Sequence, residues 1–278
     1  MHALNPTFKL PPNPNGKIWQ YMELAQFVSM LHRRALFFVK ARKLRDPYEG
    51  IIPQFNNLTM SAVYDEEEQE TKIHKQSNDF AKIEPQSMRR QFELYRELVL
   101  INGWHSNEYE SAAMWHLYAH ENAGIAIQST IGKLSNSFKN NHRDTIWIGQ
   151  IQYLDFSKDW VNEWNDVFQA FLIKRKSFEY ENEIRAVTCL PDHHHHHSGK
   201  DVLDAVDEAK VRLPKSIVAN PEEMTDKGKY VSADLQTLIE NIYIAPYAES
   251  WFKEVIESLL SKYQLKAKVI KSDLYTIL

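Results

Sequence analysis

Residues 176–190 read KSFEYENEIRAVTCL, and this stretch sets the terms for the rest of the chain. An aromatic, Tyr180, precedes Glu181, Glu183 and Arg185, which recur at a spacing of two. On a strand that spacing sends all three to one side, with Asn182, Ile184, Ala186 and Thr188 on the other. Two acids and a cation on a half-buried strand are costly unless they pair or do chemistry.

Working outward, the preceding stretch from Asp159 to Ser177 sets Trp160, Trp164, Val167, Phe168, Phe171 and Leu172 along one helical stripe, a core-facing helix. Before it, Trp147–Leu154 alternates like a strand. Leu24, Phe27, Val28 and Leu31 fall at i, i+3, i+4 and i+7, a helix between strands at Lys17–Met22 and Ala35–Ala41. Asp46-Pro47-Tyr48-Glu49-Gly50 has turn chemistry. Helical period returns over Gln86–Val99 and is followed by a strand at Leu98–Trp104. A helix over Glu110–His120 precedes a strand at Gly124–Gln128, and a short helix ends near Phe138. A strand at Ile242–Ala245, a helix at Trp251–Tyr263 and a strand at Ala267–Lys271 close the pattern. Short strands with unequal helices between them indicate a single α+β domain over residues 17–278, with a mixed, mostly antiparallel sheet. Residues 1–16, carrying four prolines, read as a flexible arm.

The bulk properties narrow the function classes. A net charge of −4 over 278 residues argues against a strong sequence-independent grip on nucleic acid. One cysteine, Cys189, excludes an intrachain disulfide and fits a reducing compartment. The polar start and the lack of any long apolar run lead us to expect a cytoplasmic protein without a membrane partner. The five histidines His193–His197 form a loop within residues 192–200 whose spacing does not aim ligands at one ion, so no metal is expected. The basic runs Lys40–Arg45 and Lys174–Lys176 read as solvated faces, or as a groove for phosphate or single-stranded nucleic acid.

Four blocks in order resemble an uncharacterised bacterial family, the domain of unknown function 2971. They are WQYMELAQFVSMLHRRALFFVKARKLRDPYEG, AMWHLYAHENAGIAI, FEYENEIRAV and LQTLIENIYIAPYAESWFKEVIESLL. The chain departs from that pattern at Gln20, Arg45 and Asn122. A more distant similarity is to ADP-ribosyltransferase-like folds, which often end on a late strand bearing Glu-x-Glu. That resemblance implies an NAD- or nucleotide-dependent transferase, in a toxin or phage-defence setting, acting on a nucleotide or macromolecular acceptor. Glu183 would stabilise a ribosyl cation, Glu181 would orient the acceptor and Arg185 would hold the pair. Tyr21 and Trp115 would contact base or nicotinamide, with Tyr118, Asp46 and Glu49 as further ligand-binding candidates. No Gly-rich dinucleotide loop is present, which argues against a Rossmann oxidoreductase. The alternatives from the residues themselves are a non-catalytic binding module and a nucleic-acid-processing enzyme.

Overall fold

The computed structural model describes residues 7–9, 11–51, 53, 85–119, 122–159, 161, 167–190 and 223–277. The histidine run lies outside them. The chain begins β1 (Lys17–Glu23), α1 (Leu24–Arg33) and β2 (Ala35–Lys40). It continues through α2 (Pro85–Leu98), β3 (Val99–Ser106), α3 (Ala112–Tyr118), β4 (Gly124–Thr130) and α4 (Ile131–Ser137). Strands β5 (Trp147–Gln150), β6 (Gln152–Leu154), β7 (Ile173–Arg175) and β8 (Glu183–Cys189) follow. The last elements are β9 (Gly228–Ser232), α5 (Leu235–Leu238), β10 (Asn241–Ile244), α6 (Ser250–Lys262) and β11 (Lys268–Lys271). This is the α+β arrangement expected, with antiparallel pairings throughout except β10–β11 and the separate pair β6–β7.

Strand β3 is the hinge of the sheet. One of its edges pairs with β8 over seven residues, from Val99↔Cys189 to His105↔Glu183. Its other edge is shared. Ser106 and His105 pair with Ile18 and Trp19 of β1, whereas Leu100 and Ile101 pair with Lys40 and Val39 of β2. The two partners therefore diverge over the middle of β3, and side-chain amides take over part of the missing ladder. Gln20 Nε2 donates to the Gly103 carbonyl at 3.2 Å, and Asn102 Nδ2 donates to the Phe37 carbonyl at 3.0 Å. Trp104 Nε1 donates in turn to Asn102 Oδ1 at 2.7 Å. Buried backbone groups demand such partners.

Helix α1 bridges the diverging strands. Its first turn is closed by Gln26, whose side chain accepts the Glu23 N–H at 3.0 Å, and it stops at Arg34 in the left-handed region (φ 49°). Phe27, Met30 and Leu31 of α1 share one core with Ile18, Leu36, Phe38, Leu100, Ile127 and Ile184. The opposite face of β3 and β8 is charged at its centre. There the register sets Trp19 beside His105 and His105 beside Glu183, and sets Arg185 between Gly103 and Gly149.

Two expected elements are replaced. Among the described residues of 159–177 there is no α-helix: Val167–Phe171 is a 3-10 turn and residues 173–175 form β7. The apolar spacing came from burial, since Val167, Ala170 and Phe171 all face the interior. The single strand expected at Trp147–Leu154 breaks at Ile151, whose N–H turns to the Glu183 carbonyl while β6 leaves to pair with β7.

Candidate functional site

The site grows from Arg185, which is fully buried on β8. A guanidinium has five N–H donors in a fixed plane, and all five are used. Nε and Nη2 donate to the two oxygens of Glu183, each at 2.9 Å. Nη1 and Nη2 donate to the two oxygens of Glu49 at 2.8 and 2.7 Å. The remaining Nη1 proton goes to the Phe171 carbonyl at 2.8 Å. Two bidentate carboxylate pairs on one arginine are a rigid, charge-assisted arrangement.

Glycine makes the room for it. A Cβ on Gly103 would lie 2.5 Å from Glu183 Oε1, so the carboxylate occupies the space a side chain would take. Gly50 has φ +70°, and a Cβ there would lie 2.3 Å from the Phe171 ring. That turn can thus press against the 3-10 segment and deliver Glu49 to Arg185. Within the turn Asp46 accepts the Tyr48 N–H at 3.0 Å and takes both Nε and Nη2 of Arg175, at 3.2 and 2.7 Å. Arg96 of α2 secures the same turn by donating to the Pro47 carbonyl at 3.0 Å.

Lys174 of β7 ties the remaining acid in. Its Nζ bonds Glu181 and lies 3.2 Å from Glu49 and 3.3 Å from Glu183. Glu181 ends a second 3-10 turn, residues 176–181, and Asn182 follows with φ 38° before β8 begins at Glu183. Glu181 therefore joins Glu183 and Arg185 through Lys174 rather than by strand alternation. Its other oxygen accepts the Tyr118 hydroxyl at 2.8 Å.

Electrostatics follow from this packing. Burial pushes the Glu183 carboxyl up, but Arg185 and Lys174 more than offset it and hold it below the usual range. Burial lowers Lys174, yet Glu183, Glu49 and Glu181 together raise it above an ordinary lysine. The Tyr118 phenol is pushed up by burial and by the Glu181 charge. Tyr153, whose hydroxyl accepts the Glu183 N–H at 2.8 Å, is pushed up by burial and by Glu183.

Tyr21 lies on the same sheet face, two residues beyond Trp19. Its hydroxyl accepts the Ser111 N–H at 2.7 Å, and burial drives its phenol upward. Trp115 packs edge-on against it at 5.1 Å and donates to Glu110 at 2.8 Å. Trp115 is fully buried and Tyr21 nearly so, which makes the pair the packed wall behind the charges. Of the eight residues singled out from the sequence, Glu49, Glu181, Glu183 and Arg185 cluster, Asp46 stands beside them holding Arg175, and Tyr118 touches Glu181. Tyr21 and Trp115, by contrast, are buried against each other and present no open ring face to a base or nicotinamide.

From the sequence, Lys174 and Arg175 stood out only as part of the basic run Lys174–Lys176, a solvated face or phosphate groove, and Tyr153 and His105 did not stand out at all. His105 is buried, its Nδ1 is 2.6 Å from the Glu181 carbonyl and its Nε2 has no partner among the described residues. A carbonyl only accepts, so Nδ1 carries the proton. Tertiary register brings these groups in, and no local pattern announces them. The one available signal was glycine: Gly103 and Gly149, isolated inside strand patterns, mark close approach of something large.

Residues 114–186 match the family model described as Protein of unknown function (DUF2971). The match covers nearly all of the second and third blocks of the likeness read from the sequence. No curated protein and no solved structure matches the chain. No helix among the described residues is long and apolar enough to cross a membrane.

Proposed function

We propose that this chain, which carries the segment of that functionally unassigned family, is an NAD-consuming transferase of the ADP-ribosyltransferase-like type. The observation that carries the reading is the gathering of Glu183 of β8, Glu181 of the 176–181 turn and Tyr118 of α3, with Lys174 joining the two acids. NAD is here a substrate rather than a resident cofactor.

Glu183 acts through its field. Both of its oxygens are held by Arg185 and Lys174, so it is a fixed negative charge rather than a nucleophile. Such preorganised charge stabilises a ribosyl cation as the C1′–nitrogen bond breaks and its electron pair leaves with nicotinamide. Glu181 also has both oxygens engaged, but it contacts no guanidinium: its partners are one ammonium and the hydroxyl of a partly exposed tyrosine. It orients the acceptor hydroxyl and takes its proton as the new C1′–oxygen bond forms. Tyr118 and Lys174 hold Glu181 for that transfer.

The test is release of nicotinamide from NAD by the purified protein, with Glu181→Gln and Tyr118→Phe beside it. The expected loss for Glu181→Gln is about 10²-fold or more, the usual contribution of a positioned base. An inert wild type, or an unimpaired Glu181→Gln, would sink the reading.

The second reading is a non-catalytic binding module. Its specific support is that Arg185 spends every donor inside the protein, as a strut between the 46–50 turn, the 167–171 segment and β8. Under that reading Glu181→Gln alters stability and NAD has no effect on any variant.

A further inference from the structure

The buried cluster sets three carboxylates, Glu49, Glu181 and Glu183, against two cations, Lys174 and Arg185. A diphosphate brought into it would meet excess negative charge in a place where water screens poorly. The cations able to receive one lie outside it, on the rim. Arg45 is exposed, and among the described residues its guanidinium pairs with no carboxylate; it rests over the Tyr118 ring at 5.6 Å. Arg175 is one-third exposed at its side chain. Asp46 occupies Nε and one Nη2 proton, leaving the Nη1 protons without a partner among the described residues. The Arg175 Cζ lies 4.3 Å from the Tyr48 ring centre and 5.3 Å from that of Phe178.

These two arginines belong to one locus. Arg45 precedes Asp46, which holds Arg175, and Arg175 follows Lys174 of the buried cluster. Arg45 also reaches the tyrosine that donates to Glu181. The rim thus offers pre-placed guanidinium forks next to two exposed tyrosine rings, Tyr48 and Tyr118. Arginine presents a geometry matched to phosphate oxygens, and aromatic rings take a base by stacking.

We infer that Arg45 and Arg175 form the diphosphate subsite of a nucleoside diphosphate moiety, seated on the rim with Tyr48 and Tyr118 beside its base. The inference rests on the transferase reading and deepens it, since it says which part of the dinucleotide stays outside the carboxylate cluster. Arg45 is the residue to test, because it is exposed and has no ion pair to lose among the described residues, whereas Arg175 also secures Asp46.

The experiment is calorimetric titration of the full chain with ADP, adenosine and a short single-stranded oligonucleotide, on wild type, Arg45→Gln and Glu181→Gln. The expected result is that ADP binds wild type, that Arg45→Gln weakens ADP about tenfold, the scale of one lost charge-assisted hydrogen bond, and that adenosine is unaffected by that change. Glu181→Gln should leave ADP affinity unchanged while losing turnover. ADP affinity equal in wild type and Arg45→Gln, equal weakening of ADP and adenosine, no ADP binding, or preference for the oligonucleotide would each overturn the subsite. If ADP binds as expected but nicotinamide is never released, the transferase reading fails while the anion subsite stands. If nicotinamide is released but Arg45→Gln leaves ADP affinity unaltered, the subsite fails alone.

Discussion

At the scale of single residues, the site is governed by satisfaction of charge. Arg185, Glu49 and Glu183 are mutually bound out of water, so removing one partner strands another. Breaking a buried pair in this way costs about 3–5 kcal/mol. Glu49→Gln and Arg185→Met should therefore lower the unfolding free energy by an amount of that order, read from the shift in urea midpoint at constant m-value. A change below about 0.5 kcal/mol, typical of a surface substitution, would show that the network is not formed in solution. Glu181 differs, because its loss leaves Lys174 paired with Glu49 and Glu183, and its other partner, Tyr118, is partly exposed. Its amide variant should fold and lose turnover, a separation that Glu49→Gln cannot give.

At the scale of elements, the divergence of β1 and β2 from β3 turns a plain antiparallel sheet into a surface with a charged centre. Gly103 sits at that point, and its missing side chain is where the Glu183 carboxylate lies. Gly103→Ala should destabilise by about 1–3 kcal/mol, the cost of overpacking a filled site. The double variant Gly103→Ala, Glu183→Ala should show coupling, because the second change removes the atom that clashes. Strict additivity in a double-mutant cycle would contradict the geometry. The β1–α1–β2 unit was legible in the sequence because its periods are local: alternation in the strands, i, i+3, i+4, i+7 in the helix. Residues 167–175 were not, since Val167 and Phe171 are apolar for tertiary reasons and mimic a helical stripe without forming one. Glu181, Glu183, Arg185, Asp46 and Glu49 stood out as charges in costly places. Lys174 and Arg175 did not, because a basic run looks the same on paper whether it meets solvent or, as Lys174 does, three carboxylates.

At the scale of the whole molecule, the buried charges give folding a defined pH window. Glu183 is held below the usual carboxyl range by Arg185 and Lys174 despite its burial, so its contribution is present above about pH 4.3, the unfolded glutamate value. It is lost as pH falls through the folded value. Lys174 and the phenols of Tyr21, Tyr118 and Tyr153 are raised, by carboxylates in the first case and chiefly by burial in the others. Their contribution is complete below about pH 10 and is lost as pH rises toward the folded values. Stability measured by chemical denaturation should accordingly be broad between about pH 5 and 10 and fall on both sides. The Lys174→Met variant should lose stability within that plateau and show a weaker alkaline fall. An alkaline limb identical to that of the wild type would contradict the account of Lys174.

If this charged face serves NAD, thermal or chemical unfolding of the wild type with and without millimolar NAD will show it. A ligand that binds only the folded chain stabilises it by about 2.7 kcal/mol at a hundredfold excess over its dissociation constant. The midpoint should rise with NAD, and Arg45→Gln should diminish the rise. An unchanged midpoint at millimolar NAD would contradict that role and leave the buried network as a strut within a binding module.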